Sequence, residues 1–238
     1  MQRKIGFYEK YVKRAMDIIC SLLAMICFSW LYAIVAVLVR IKLGSPVIFT
    51  QPRPGRIDPK TGKEKIFKLY KFRTMTDERD ENGNLLPDEI RLTKFGKTLR
   101  ATSLDELPEV VNILRGELSL IGPRPQLVRD MVFMTPEQRM RHTARPGLSG
   151  LAQVSGRNAI SWEDKLRIDL EYIKNITFLG DLKIIFQTVG KAFIKQEGIT
   201  EENMATAEDF GDYLLRKGVI EKSYYDEKQN EAKKLLRD

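Results

Sequence analysis

The chain has 238 residues, with 40 Lys and Arg against 32 Asp and Glu and a formal charge of +8. At 43% hydrophobic and 30% charged residues, it is neither a disordered segment, a collagen-like chain nor a polytopic membrane protein. Two cysteines and one histidine, His142, exclude a disulfide framework, a four-cysteine zinc site and a histidine metal cluster, and suit a reducing compartment.

Charge is segregated along the chain. Residues 1–14 hold five basic side chains against Glu9, and residues 40–75 hold ten against Asp58 and Glu64. Residues 196–238 hold eleven acids against seven bases. The basic blocks call for an anionic partner: phospholipid headgroups, nucleic acid or a phosphorylated substrate. They flank an apolar run rather than interleaved aromatics, which disfavours nucleic acid.

That run, Ile18 to Val39, is uncharged over 22 residues. As one helix it would rise about 33 Å, enough for a hydrocarbon core of about 30 Å. Both flanks are basic, with Lys13 and Arg14 before it and Arg40 and Lys42 after it. A simple span would leave one basic end on the wrong side of the bilayer, whereas a re-entrant helix keeps both ends in the cytoplasm. The run has no central proline or glycine, so these residues leave both topologies open. Ser29 is the weak point, because its hydroxyl can bond back to a helical carbonyl.

Beyond it, Gly44-Ser45-Pro46 ends the membrane segment and Val47–Phe49 reads as a short strand. Residues 51–65, rich in Pro, Gly and charge, read as a loop, and Ile66–Phe72 as a strand with one cationic face. Asn82-Gly83 marks a turn in a polar stretch, and Lys94–Arg100 reads as a short helix. Ser103 and Glu106 have the spacing of a capping box ahead of Leu107, Val110, Val111 and Leu114. Pro108 favours a start two or three residues later. Helices are expected from Ser161 through Asn175 and over about Leu179–Lys195. The latter carries Leu182, Ile185, Phe186, Val189 and Phe193 as one stripe and Lys183, Lys191 and Lys195 on another face, which suits a membrane interface or a packed surface helix equally. The acidic tail reads as two short peripheral helices, after Thr206 and after Ser223, joined near Gly218. His142 reads as a surface residue.

Asp105 and Glu106 are the sharpest candidates for chemistry. Free N–H groups at a helix start favour carboxylates and phosphates alike. Adjacent carboxylates could hold Mg²⁺ while one attacks phosphorus, although acids in a first helical turn are often only capping residues. Gly122-Pro123-Arg124-Pro125, Arg145-Pro146-Gly147 and Gly156-Arg157-Asn158 each fix an arginine beside Pro or Gly. With Lys71-Phe72-Arg73 they suggest a phosphate-rich ligand.

Taken in order, the motifs resemble the bacterial sugar transferase family of monotopic phosphoglycosyl transferases, undecaprenyl-phosphate sugar-1-phosphate transferases of the short single-domain type. The carriers are Lys13-Arg14-Ala15-Met16-Asp17, Gly44-Ser45-Pro46-Val47, Lys71-Phe72-Arg73-Thr74-Met75 and Thr102-Ser103-Leu104-Asp105-Glu106-Leu107-Pro108. They continue with Ser119 to Pro125 and Arg145 to Asn158, and the likeness covers about residues 10–195. At the middle of the apolar run the chain departs from the family, with Ser29-Trp30 where members commonly carry Ser-Pro.

The resemblance implies a mostly helical α/β domain associated with a membrane, with an N-terminal re-entrant helix and interfacial amphipathic helices. It divides the chain into a membrane region (1–43), a catalytic domain (44–199) and a C-terminal extension (200–238). Lys13, Arg14, Ser29 and Trp30 would belong to the membrane anchor at the cytoplasmic face of the bacterial inner membrane. Asp105 would attack the sugar-proximal phosphate of a UDP-sugar, release UMP and pass the phospho-sugar to polyprenyl phosphate. Glu106 would be its partner in binding Mg²⁺ or moving a proton. Lys71, Arg73, Arg124, Arg145, Arg157 and Asn158 would bind substrate. The identity of the sugar and any homo-oligomer stay open, and the rival reading is a non-enzymatic adaptor anchored on anionic lipid.

Overall fold

The apolar run does not form one rod. In the computed structural model, which describes residues 3–156, 160–194 and 208–237, it is two helices, α1 (Lys13–Cys27) and α2 (Ser29–Leu43). A π-helical turn over Tyr8–Val12 leads into α1. The two helices are bent by 66° at the break around Phe28. A break frees carbonyls that the next helical turn would have bonded. Here Ser29 Oγ donates to the Ile26 carbonyl at 3.0 Å and Trp30 Nε1 donates to the Cys27 carbonyl at 3.1 Å. Ser29 and Trp30 thus satisfy the bend with side-chain donors, Trp30 standing where the resemblance led one to expect proline. Among the described residues no single helix is long and apolar enough to cross a membrane; the bent pair is so only when taken together.

The outer surface of the pair is apolar. Ile19, Leu23, Ile26, Trp30, Val37 and Ile41 are all exposed, Ile26 by 72%. The inner surface is anchored to the rest of the chain. Val35 and Val39 of α2 pack with Phe72 and Leu99. Asp17 of α1, 1% exposed, accepts hydrogen bonds from Ser119 Oγ and the Leu120 amide, both at 2.9 Å.

Strand β1 (Ile48–Ile57) pairs antiparallel with β2 (Glu64–Phe72). The expected loop from residue 51 is therefore strand for seven further residues. Pro52 and Pro54 are tolerated because this sheet has only two strands. Two residues apart, both turn their missing N–H to the unpaired edge. The polar stretch then yields a turn in which the Asp80 carboxylate accepts from the amides of Asn82 and Asn84. Short helices α3 (Asp88–Arg91) and α4 (Lys94–Ala101) follow.

A 3₁₀ turn over Leu104–Glu106 precedes α5 (Glu109–Arg115). Ser103 makes no cap; it sits in the left-handed region at φ 56°. Helix α5 starts only after Pro108, in the later of the two registers the proline allowed. β3 (Ser119–Ile121) pairs in parallel with β4 (Gly147–Ser149), enclosing α6 (Val128–Met131) and α7 (Pro136–Arg139). α8 (Leu151–Ser155), α9 (Trp162–Lys174) and α10 (Phe178–Ile194) complete this half. Ser161 caps α9 as its sequence suggested, accepting from the Asp164 amide.

On α10 the interior face is Asp181 and Ile184, while Leu179, Phe186 and Val189 are exposed. Phe186 and Val189, two of the four described members of the expected stripe, are thus turned outward, beside exposed Lys183. Lys195 and the side chains of Lys191 and Phe193 lie outside the described residues.

Two further expectations are overturned. His142 is buried at 3% exposure, with Nδ1 3.0 Å from Glu64 Oε1. A carboxylate partner from β2 makes that burial tolerable. The tail is not peripheral either. α11 (Phe210–Arg216) and α12 (Lys222–Leu235) close a core in which Phe210, Tyr213 and Ala232 meet Val128, Phe133, Trp162 and Leu166. Phe210, Tyr213 and Ala232 face inward, while Asp212, Asp226 and Glu227 face water. The result is a mostly helical mixed α/β fold, with two small two-stranded sheets among the described residues.

Candidate active site

Three carboxylates crowd one short stretch. The 3₁₀ turn carries Asp105 and Glu106, and the first turn of α5 carries Glu109. The left-handed Ser103 makes the chain turn sharply just before them. Asp105 is 7% exposed and Glu109 2%. Charges at such depth are costly unless opposed.

The opposing charges come from distant segments. Lys71, near the end of β2, places Nζ 2.7 Å from Glu106 Oε1 and 3.2 Å from Glu109 Oε1. Arg124, from the Gly-Pro-Arg-Pro segment after β3, places Nη2 2.6 Å from the same Glu106 oxygen. That segment is itself braced. The Arg124 carbonyl accepts from Arg141 Nη2 at 2.6 Å, and the Pro125 carbonyl accepts from Arg53 Nη1 at 3.0 Å. Arg141, 1% exposed, is held in turn by the buried carboxylate of Asp169. Gly122 is required for the approach, since a Cβ there would meet the Arg145 carbonyl at 2.4 Å.

The three acids are not equivalent. Burial raises the pKa of Asp105 to about 6, against the pull of the Lys71 charge. Burial, reinforced by the Glu106 charge, raises Glu109 to about 7. Burial acts on Glu106 in the same sense, but Arg124 and Lys71 outweigh it and hold Glu106 well below the usual carboxylate range. Glu106 is thus a fixed anion at neutral pH. The Asp105 carboxylate forms no hydrogen bond or ion pair among the described residues, and Glu109 Oε1 is buried without a hydrogen bond. Arg100 adds positive potential near Asp105 while its Nε donates to Thr74 Oγ1 at 3.0 Å.

The sequence-derived candidates separate into groups. Asp105, Glu106, Lys71 and Arg124 come together. Arg73 does not join them; it is buried against the Ser45 carbonyl and Asp77. Arg145 faces Asp17 of α1, with Nη1 3.8 Å from Oδ2. Arg157 and Asn158 lie outside the described residues.

Lys13 and Arg14 turn into the protein rather than toward headgroups. Lys13 is 6% exposed and bonds Tyr172 and Asp181, and Arg14 donates to the Ile113 and Leu114 carbonyls at the end of α5. The Ile113 carbonyl also accepts from the Gly116 amide at 3.0 Å, and the spare acceptor capacity and negative potential of a helix end are what draw a cation there. Glu109 was not singled out from the sequence. Its signal was the i, i+3 spacing from Glu106, which puts both acids on one side of a helical turn.

For Mg²⁺, Glu106 is already committed to two cations, so Asp105 is the available carboxylate. Among the described residues no cluster of three or more acid, histidine or cysteine ligands is formed. This donor set fits an ion held mainly by substrate phosphate oxygens with one carboxylate, the usual manner for Mg²⁺, and not a protein cage.

The family model for bacterial sugar transferases matches residues 8–195. This chain belongs to the bacterial sugar transferase family. It is therefore an enzyme, of the phosphoglycosyl transferase class. The sugar transferase EpsL of Bacillus subtilis is 49% identical over 199 residues, covering 84% of this chain and 95% of EpsL. The UDP-glucose:undecaprenyl-phosphate glucose-1-phosphate transferase of Klebsiella pneumoniae is 39% identical over 194 residues, and the UDP-N-acetylgalactosamine-undecaprenyl-phosphate N-acetylgalactosaminephosphotransferase of Aeromonas hydrophila is 36% identical over 187. The family member described here spans only 40% and 43% of those two longer proteins.

Proposed function

We propose that this enzyme moves a sugar-1-phosphate from a UDP-sugar to undecaprenyl phosphate in two displacements at Asp105. The observation that carries this reading is a pair of unlike neighbours. One carboxylate, Glu106, is locked by Lys71 and Arg124, and the next, Asp105, is buried and forms no hydrogen bond or ion pair among the described residues. A nucleophile needs an unengaged oxygen near positive charge, and burial raises the reactivity of that oxygen by stripping its water. The relatives named as undecaprenyl-phosphate sugar phosphotransferases support the substrate classes.

In the first displacement an Asp105 carboxylate oxygen bonds to the sugar-proximal phosphorus, and the bridging P–O bond to UMP breaks. UMP leaves with that bridging oxygen. In the second, a phosphate oxygen of the lipid attacks the same phosphorus. The bond to Asp105 breaks, the carboxylate is restored and the lipid diphosphate sugar departs. Lys71, Arg124 and Arg100 are placed to oppose the negative charge of each pentavalent arrangement. Mg²⁺, held by Asp105 and the diphosphate oxygens, would supply further charge neutralisation. Glu106 keeps Lys71 and Arg124 in place and remains anionic.

The bent α1–α2 pair enters the cytoplasmic face of the bacterial inner membrane and returns to it, with the exposed side of α10 lying at the interface. The outward Ile, Leu, Val and Trp side chains of the pair support this placement, as do Leu179, Phe186 and Val189 of α10.

The chemical test is mass spectrometry of enzyme mixed with UDP-sugar alone. A phospho-sugar adduct on Asp105 is expected, and Asp105→Asn is expected to abolish both adduct and UMP release. Full UMP release by that variant would refute the nucleophile. For topology, single cysteines at positions 5 and 60, with Cys20 and Cys27 replaced, should both be shielded from a membrane-impermeant label added outside cells. Labelling of either one alone would refute the re-entrant placement.

A further inference from the structure

A second cationic cavity lies at the foot of α1. It encloses about 190 Å³ between the N-terminal turn and the segments around β4 and α9, and none of Asp105, Glu106, Glu109, Lys71 or Arg124 lines it. Lys10, Lys13, Arg56 and Arg145 line it against one carboxylate, Glu9. The nearby acids are engaged, Glu9 Oε1 with Arg3, Asp181 Oδ2 with Lys13 and Asp17 Oδ1 with Ser119 and Leu120, while Glu9 Oε2 and Asp17 Oδ2 are buried without a hydrogen bond. The side chains of Lys10 and Arg56 form no ion pair or hydrogen bond among the described residues, and Lys10 Nζ lies 4.9 Å over the Tyr11 ring. Arg145 is loaded with unfavourable charge: burial and the neighbouring Arg14 and Arg56 cations push its pKa down. Such an arrangement gains energy from an anion.

The surroundings specify which anion. Ile5 and Ile176 form apolar walls. Phe7 and Tyr11 on the N-terminal turn, and Phe178 and Leu179 at the start of α10, are exposed nearby, Phe7 and Leu179 by 74% each. Tyr8 of that turn packs edge-on against Phe178, so the two apolar groups form one surface. A site with a cationic floor beside a greasy surface matches the phosphate of a lipid whose tails lie alongside.

We propose that this cavity binds the phosphate of an anionic phospholipid headgroup, as a site separate from the Asp105 cluster. Arg56, and Lys10 from its place over the Tyr11 ring, are the cations without an acid partner among the described residues that approach the phosphate. Arg145 and Lys13, fixed by their acids, shape the floor. The site ties the N-terminal turn to the β4 side of the fold when the membrane is anionic. The proposal rests on the interfacial placement above.

The experiment measures binding of short-chain dihexanoyl lipids to full-length enzyme in detergent, by quenching of intrinsic fluorescence. Dihexanoyl phosphatidylglycerol should bind, and the double variant Lys10→Gln, Arg56→Gln should weaken it about ten-fold. Zwitterionic dihexanoyl phosphatidylcholine should bind at least ten-fold more weakly than phosphatidylglycerol. Equal affinity of wild type and double variant for phosphatidylglycerol would overturn the proposal. So would inorganic phosphate binding as tightly as the lipid, since the site would then take free phosphate. Flotation on pure phosphatidylcholine vesicles keeps the two readings apart. It should persist in the double variant, and its failure in the wild type would count against the interfacial placement, whatever the short-chain lipids show.

Discussion

Lys71 Nζ sits 2.7 Å from Glu106 Oε1, a bond that joins the end of β2 to the 3₁₀ turn. The same ammonium is 3.2 Å from Glu109, so one cation serves two buried acids. Replacing it with an equally long apolar chain, Lys71→Met, leaves both acids short of a counter-charge. A loss of about 3 kcal/mol of stability is expected from uncovering a buried pair. UMP release should fall by about a hundred-fold or more, as for loss of one positive group at a developing phosphoryl charge. Thermal denaturation and a UMP assay check the two effects separately.

The rate of adduct formation should rise with pH through about 6. Asp105 must be ionised to attack, and burial has raised its pKa to about 6. Below that value the protonated fraction is inert, and above it the rate should level off. Single-turnover mass spectrometry between pH 5 and pH 8 reads the profile, and a rate independent of pH over that range would contradict the assignment.

Asp17→Ala should unfasten α1 from β3. Its carboxylate accepts from Ser119 and Leu120 while 1% exposed. Hydrogen bonds to a charged group contribute roughly 1.5–3 kcal/mol each. The expected result is earlier proteolysis between α1 and the remainder of the chain, with the melting temperature lowered by several degrees.

The double variant Ser29→Ala, Trp30→Phe removes both donors at the bend. Two freed carbonyls would face the apolar side of the chain, at about 1 kcal/mol each. The helix pair should straighten or populate several angles. Distance measurements between spin labels placed on α1 and α2 should broaden relative to the wild type.

Stability should fall with acid over a window set by two buried partners. Burial lowers the His142 pKa to about 4, and His142 and Arg139 overcome burial to hold Glu64 at about 2. The unfolded histidine binds its proton near pH 6.5, so unfolding takes up a proton between about 6.5 and 4. Below about 4.5 the unfolded glutamate adds to the same trend. Both contributions are fully present above pH 6.5 and decline below it. Urea midpoints measured from pH 7 to pH 4 should decrease steadily, and less steeply in His142→Gln.

Much of the architecture follows from local chemistry. Ser161 ahead of α9 and Pro108 ahead of α5 fixed two helix boundaries, because caps and breakers act through the backbone within a few residues. Asp105 and Glu106 stood out because they are adjacent. What local chemistry could not weigh was partners from elsewhere. His142 is inside because Glu64 reaches it, Ser103 forgoes capping because the chain turns left-handed there, and the tail is held by Phe210 and Tyr213 against Trp162 and Leu166. Lys13 and Arg14 carry the charge pattern of membrane flanks, yet their ends bond Asp181 and the α5 carbonyls.

Taken alone, the sequence determined where charge and greasiness lie, where several helices start and which side chains are candidates for the chemistry. It did so because those properties are set residue by residue. The tertiary structure decided which cations reach which acids: Lys71 and Arg124 on Glu106, none in direct contact with Asp105 among the described residues, and Arg145 facing α1. Those pairings join segments from 18 to 128 residues apart, and the electrostatic energy that separates one carboxylate from its neighbour depends on distance and burial rather than on order along the chain.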